Sequence, residues 1–323
     1  MRKSTALSVF ILLPGCMLAV TGSTFWSTIL DIGDKCKKPQ QTHLLIKLLK
    51  LKPTETELAP FICLGISKSL KVCTEVFSTD RWNCSLEPTS FLKVVTSGTK
   101  EQAYIYSFVS AGVVKEVAQA CAENKLPHQC PCTLDPSTTG RYHQTGCPDN
   151  YTYGNWVVKN ILQPVINEGN NSKTRYINGH NINVGSEFTK RTITTKCTCE
   201  PWYSCNVRIC RNCVRSLSYI ENQIKFQNSN LKIRKQFQTR KRRDKHIELL
   251  HENASPDFCS QNNSTGSLGT TGRVCEDNCD HLCCGRGHYT KTVIKLKTVC
   301  RFRWCCRVFC DKELTNVKQQ ECQ

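Results

Sequence analysis

Cysteine is the residue with the most chemistry to offer in this chain. Of 24 cysteines, ten fall between Cys259 and Cys322, and two pairs are adjacent, Cys283-Cys284 and Cys305-Cys306. Thiols at such spacing either ligate a metal as thiolates or join as disulfides. The C-x-C and C-C strings near His288 admit a metal, but an exported chain favours cross-links. A segment this short and this rich in cysteine has too little apolar core to hold itself, so covalent bridges must do so. The eight histidines are scattered without metal spacing, and the sequence carries no G-x-S-x-G, H-E-x-x-H or P-loop string. The residues therefore point to no enzyme, no metal and no cofactor.

Export is written at the N-terminus. Arg2 and Lys3 precede an apolar run from Ala6 to Leu13, broken by Pro14-Gly15 and followed by small residues to Gly22. That is a signal peptide over residues 1–22, too short to span a bilayer. Cleavage removes Cys16 and leaves an odd number of cysteines, so at least one thiol stays outside an intramolecular pair. Six N-x-S/T sequons mark Asn83, Asn150, Asn170, Asn253, Asn262 and Asn263 as candidate glycosylation sites.

The formal net charge is +18, and it is uneven. Residues 190–245 carry fifteen Lys/Arg against Glu200, Glu221 and Asp244. Outside the cell, the polyanion that meets such a segment is a sulfated glycan rather than a nucleic acid. Arg240, Lys241, Arg242 and Arg243 are its densest part. The same run fits a solvated linker, and R-K-R-R also resembles a site for basic-specific processing proteases.

These residues need elements to position them. Apolar spacing predicts helices over 42–51, ended by Pro53, and over 62–77. The strongest helix is 99–121, with Thr99 as N-cap and Tyr104, Phe108, Ala111, Val114 and Ala118 on one face. Tyr153 to Val165 reads as a fourth. From Lys196 onward, short cysteine-bounded segments with β-branched residues read as disulfide-tied hairpins. The predicted fold class is α+β. A helical N-terminal domain (23–227, with a disulfide-tied hairpin at 196–213) precedes an exposed basic linker (228–254) and a cysteine-rich C-terminal domain (255–323).

The strings between these elements carry a resemblance. R-W-N-C at 81–84, S-A-G-V at 110–113, C-P-C at 130–132, G-C-P-D-N at 146–150, N-G-H-N at 178–181 and K-C-T-C at 196–199 occur in order. S-P-D-F-C at 255–259, C-C-G-R-G-H at 283–288 and F-R-W-C-C at 302–306 follow. In type and order they resemble Wnt ligands, from about Cys73 to Cys322. The resemblance implies disulfides Cys73–Cys84, Cys121–Cys130, Cys132–Cys147, Cys197–Cys210 and Cys199–Cys205. It also implies Cys259–Cys284, Cys275–Cys279, Cys283–Cys322, Cys300–Cys310 and a vicinal Cys305–Cys306. The family's further cysteines beside Cys300 and Cys310, which pair with each other, stand here as Thr298 and Glu313. Cys36 with Cys63 is then a plausible extra bridge, leaving Cys213 unpaired.

A second departure lies where the family reads C-H-G-x-S-G-S-C and esterifies the first serine with a monounsaturated fatty acid. This chain reads C-E-P-W-Y-S-C from Cys199 to Cys205. Ser204 matches the unmodified second serine and is the hydroxyl left for a membrane-bound O-acyltransferase. Alternatively Trp202 and Tyr203 supply apolar contact themselves. The shortened tip without glycines favours the second.

The resemblance implies a secreted ligand for the cysteine-rich domain of Frizzled receptors, active in developmental Wnt signalling. Trp202 and Tyr203 would lie on one contact, and Phe302, Trp304, Cys305 and Cys306 on the other. It also implies a low-density-lipoprotein-receptor-related co-receptor and heparan sulfate proteoglycans as partners, in the extracellular space or matrix. The competing expectation is a non-lipidated antagonist or a glycan-binding matrix protein.

Overall fold

The computed structural model describes residues 22–132, 143–200, 207–229, 248–304 and 307–323. Ten α-helical segments lie along it: α1 Gly22–Ile32, α2 Pro39–Leu48, α3 Ala59–Val76, α4 Pro88–Val94, α5 Lys100–Ala122, α6 Tyr151–Val157, α7 Gln163–Ile166, α8 Ser172–Arg191, α9 Leu217–Asn228 and α10 Cys279–Leu282. The strands are β1 His143–Thr145, β2 Thr194–Glu200, β3 Val207–Cys213, β4 Gln261–Asn262, β5 Ser267–Leu268, β6 Val274–Cys275, β7 His288–Arg303 and β8 Arg307–Cys322. The α+β class is as expected, with helices first and bridged strands after. Among the described residues no helix is long and apolar enough to cross a membrane.

Helix α5 is the axis of the body. It is buried almost all round rather than on the single face predicted, because α3, α6, α8 and α9 pack about it. Close approach depends on small residues. A methyl group on Gly65 of α3 would stand 2.6 Å from Val113 Cα of α5, and one on Gly112 would meet Ser69 Cβ at 2.9 Å. On the opposite side, a methyl on Gly185 of α8 would run into the Ser107 carbonyl. Beside it Ser110 Oγ donates to the Ile182 carbonyl at 2.7 Å and lies 2.9 Å from Ser186 Oγ. The S-A-G-V string is thus a helix-crossing device. Phe25 and Trp26 of α1 are fully buried in the same core.

Several boundaries differ from expectation. Helix α2 starts at Pro39, whose fixed φ suits a first helical turn, and stops at Leu48. Thr99 occupies the N-cap of α5, but its side chain makes no capping bond. It faces Ser97 Oγ at 2.8 Å, and Gln102 Oε1 accepts from the Gly98 amide instead. The Tyr153–Val165 helix is three pieces, α6, a π-turn Val158–Leu162 and α7. The ends of the stretch read as an exposed linker are pinned to the body. Asn228 is fully buried and its Oδ1 accepts from the Leu249 amide at 2.8 Å. Asn181 brackets Leu250, accepting its amide at 2.8 Å and donating to its carbonyl at 2.9 Å. His180 meets the Glu248 carbonyl, which explains the polar string N-G-H-N.

The C-terminal part has a different interior. Its buried cluster is Cys275, Cys279, Leu282, Cys283 and Cys322: four sulfurs and one leucine. Cys275, Cys283 and Cys322 place their sulfurs within 4.8 Å of one another, yet all belong to bridges and offer no thiolate to a metal. This part is clasped to the body. Arg273 donates to the carbonyls of Ser78, Asp80 and Arg81, each at 2.7 Å, and Arg81 Nε donates to the His281 carbonyl at 3.0 Å. Phe258 packs on Trp82, and Ser90 Oγ bonds the Gly266 carbonyl.

Candidate receptor-contact hairpins

Two disulfide-tied hairpins carry the residues singled out by sequence. In the first, β2 and β3 run antiparallel from Thr194↔Cys213 to Glu200↔Val207. Cys197 and Cys210 face each other in register and are bridged, with Cα atoms 4.0 Å apart. Cys199 is also disulfide-bonded. The base is fixed from below: Asp149 Oδ2 accepts from the Val214 amide at 2.8 Å, and the Asp149 amide donates to the Asn212 carbonyl. The tip with Trp202, Tyr203, Ser204 and Cys205 lies outside the described residues, as does the basic run Arg240, Lys241, Arg242 and Arg243.

Cys213, at the foot of this hairpin, is a buried free thiol. Burial pushes its pKa up, and the Asp149 carboxylate adds to the shift. Such a thiol stays protonated and poorly nucleophilic, so an unpaired cysteine is tolerable in an oxidising compartment.

The second hairpin is longer. Strands β7 and β8 pair over sixteen rungs, from His288↔Cys322 to Arg303↔Arg307. Cys300 and Cys310 bridge one rung with Cα atoms 4.0 Å apart. At its base Cys283–Cys322 ties β8 to α10, while Tyr289 Oη donates to Glu321 at 2.7 Å. That bond holds the Glu321 carboxyl below its ordinary value and pushes the Tyr289 phenol up. Glu313, at a position where the family carries cysteine, pairs with Arg301 at 3.1 Å. Phe302 and Trp304 near the tip are 68% and 91% exposed. Cys305 and Cys306 lie outside the described residues.

Period-two geometry gives this hairpin two unlike faces. Ile294, Leu296, Cys300 and Phe302 alternate with Lys295, Lys297, Arg301 and Arg303 along β7, and register puts Leu314 opposite Leu296 and Val308 opposite Phe302. The motif reading found Phe302 and Trp304 but missed Ile294, Leu296 and Leu314. The alternation from Ile294 onward was the available signal.

Nine bridges are present among the described residues: Cys36–Cys63, Cys73–Cys84, Cys121–Cys130, Cys132–Cys147, Cys197–Cys210, Cys259–Cys284, Cys275–Cys279, Cys283–Cys322 and Cys300–Cys310. The sequons sit in different settings. Asn262 and Asn263 are exposed at the turn between β4 and β5, and Asn253 is exposed although its Nδ2 donates to the Ser97 carbonyl. Asn83 and Asn170 are half-buried, and Asn150 caps α6 by accepting from the Tyr153 amide at 3.0 Å.

The model of the Wnt family matches residues 40–323, nearly all of the chain. The chain belongs to the Wnt family. It is 30% identical to Protein Wnt-11b-2 of Xenopus tropicalis over 98% of both chains. It is 31% identical to Protein Wnt-16 of Mus musculus, over 82% of this chain and 81% of that one. A chain of the solved complex of human WLS with WNT8A superposes with a TM-score of 0.64 at 26% identity, covering 85% of this chain and 96% of that one. The two-hairpin arrangement is therefore that of a Wnt-type signalling ligand. Several of the strings that identify the family work here as clasps and crossings.

Proposed function

We propose that this Wnt chain acts outside the cell by gripping the cysteine-rich domain of a Frizzled receptor, and that the tip of the β7–β8 hairpin is one of its two contacts. The observation that carries the reading is the bare pair Phe302 and Trp304 on a ribbon held by the Cys300–Cys310 rung. Aromatic side chains on a rigid support enter a pocket with little ordering cost, which is how interface hot spots arise. Cys305 and Cys306 complete this contact. The other contact is the tip bearing Trp202 and Tyr203, or a fatty acid on Ser204 placed there by a membrane-bound O-acyltransferase. Signalling then recruits a low-density-lipoprotein-receptor-related co-receptor. Heparan sulfate held by Arg240, Lys241, Arg242 and Arg243 concentrates the ligand in the matrix. A WLS-type carrier fits the export route, since a related Wnt is seen in complex with WLS.

The test is titration of the purified chain against an immobilised Frizzled cysteine-rich domain. Trp304→Ala should weaken binding by about 2 kcal/mol or more, roughly thirty-fold, with secretion unchanged because the side chain is exposed. Equal affinity of Trp304→Ala and the parent would reject this contact. Labelling with an alkynyl fatty acid separates the two versions of the first contact: a signal abolished by Ser204→Ala means a lipid anchor. The altered C-E-P-W-Y-S-C tip favours, as a second reading, an antagonist that binds without activating. Receptor binding with a silent reporter would be its signature.

A further inference from the structure

The receptor reading uses the hairpin's tip and leaves its stem unexplained. Ile294, Leu296 and Leu314 are 69%, 59% and 72% exposed. Leu296 and Leu314 share a rung on the face that also carries Phe302 and Val308, so the apolar strip continues past the Cys300–Cys310 bridge, crossed by the Thr298–Lys312 rung. From Trp304 to Ile294 it runs about 30 Å at the usual rise of a strand. Nothing among the described residues covers it. The reverse face carries most of the cations, beside Phe309, Val317 and the carboxylates of Asp311, Glu313 and Glu321. Lys291 and Arg301 are paired with Glu321 and Glu313, whereas Lys295, Lys297, Arg303 and Arg307 have no ion partner among the described residues.

We propose that the β7–β8 hairpin is a lipid-binding ribbon that lies with its apolar strip against an anionic bilayer, whether or not the chain carries a fatty acid. A two-stranded ribbon is one backbone thick. With Leu296, Leu314, Val308 and Phe302 at the acyl boundary, the long Lys and Arg side chains of the other face reach headgroup depth and meet the negative charge there. Trp304, at the end of the strip, is the side-chain type that settles at a membrane–water interface. A second copy of the chain is a poorer occupant. Lys312 and Lys318 project from the apolar side, opposite Thr298 and Thr292, and a face-to-face pair would bring such charges into a dry contact. At a bilayer the same lysines extend to the headgroups.

The experiment is flotation of the mature chain, carrying Ser204→Ala to remove any acyl anchor, with phosphatidylcholine vesicles made with and without phosphatidylserine. The chain should partition at least about ten-fold more strongly onto the phosphatidylserine vesicles, and added salt should weaken this. Leu296→Ser with Leu314→Ser should cost about ten-fold on those vesicles, as expected when buried apolar area is withdrawn from an interfacial element. Lys295→Glu with Lys297→Glu should remove the phosphatidylserine preference. An intact Cys300–Cys310 peptide in a non-reducing digest certifies that each variant has folded, and Ile294→Asn is the alternative if the leucine pair is not secreted. The proposal is overturned if phosphatidylserine makes no difference. It is equally overturned if the leucine variant floats like its parent, or if that variant instead dissolves a dimer that never bound vesicles. None of these outcomes alters the receptor titration with Trp304→Ala, so the two readings fail separately.

Discussion

The helical body and the cysteine-rich C-terminal part solve the same problem with different forces. The body buries a continuous apolar core from Phe25 to Leu249, threaded by α5 at distances that only glycine and serine permit. The C-terminal part buries four sulfurs and Leu282 and then sends two sixteen-residue strands into solvent. Burial and dispersion hold the first, and the second depends on shrinking its unfolded ensemble with covalent loops. The division suits the function. A packed body keeps its shape, while a bridged ribbon can leave large apolar side chains bare because its stability does not need them inside.

The two parts differ most at the bridge that joins Cys283, just after α10, to Cys322. Cys283 and Cys322 are 39 residues apart in sequence, and closing a loop of that size should contribute about 4 kcal/mol. Cys283→Ala with Cys322→Ala is expected to abolish secretion or to free the β7–β8 strands to exchange amide hydrogens, while α3, α5 and α8 stay protected. Amide exchange read by mass spectrometry checks this. Loss of protection in α5 together with the hairpin would mean that the two parts do not stand on separate forces.

The matching test in the body is Gly185→Ala. The added methyl drives into the Ser107 carbonyl, which belongs to helix backbone and has nowhere to retreat. Overpacking at such a site should cost about 2 kcal/mol and lower the midpoint of denaturant unfolding. An equivalent substitution on the ribbon, Thr290→Ala, should stay within about 0.5 kcal/mol because that side chain is exposed. Equal effects at the two positions would remove the contrast.

The two parts were unequally legible in the sequence. Helix α5 was plain because its apolar residues are dense. Helix α8, twenty residues long, was missed because the side it buries mixes Ile182, Val184 and Phe188 with Asn178, Asn181, Gly185, Ser186 and Thr189 rather than forming an apolar stripe. So few apolar residues among so many polar ones mark a helix only weakly, and most partners of its polar side chains lie far away in sequence. Helix α1 was missed because its residues directly follow the stretch read as a signal peptide. The cysteine-rich part was legible as a bridged framework, yet its motif strings concealed their work. Arg81 in R-W-N-C and Arg286 in C-C-G-R-G-H are clasps, the latter to the carbonyls of Cys259 and Gln323 and to Thr270. Spacing alone names neither partner. The hairpin tips at 201–206 and 305–306, where the receptor reading concentrates, lie outside the described residues.

The smallest effect concerns one charge inside the body. Glu221 of α9 is fully buried, and both its carboxylate oxygens lack a hydrogen-bond partner among the described residues. Burial, with the nearby Glu75 carboxylate adding to it, pushes its pKa well above the ordinary value. The sign follows from linkage. A carboxyl whose pKa is raised in the folded state binds its proton more tightly there than in the unfolded chain. Its favourable contribution is complete below the unfolded value of about 4.3 and is lost as pH rises toward the folded one. At neutral pH the body therefore carries a penalty that the exposed ribbon, with its carboxylates in solvent or paired to Arg301 and Lys291, does not. Glu221→Gln removes the titration while keeping the shape. It should raise stability at pH 7.4, and raise it much less near pH 4. Thermal unfolding of both proteins across that pH range measures the difference. A gap that stays constant with pH, or widens toward acid, would show that Glu221 is not held protonated by its burial against α3.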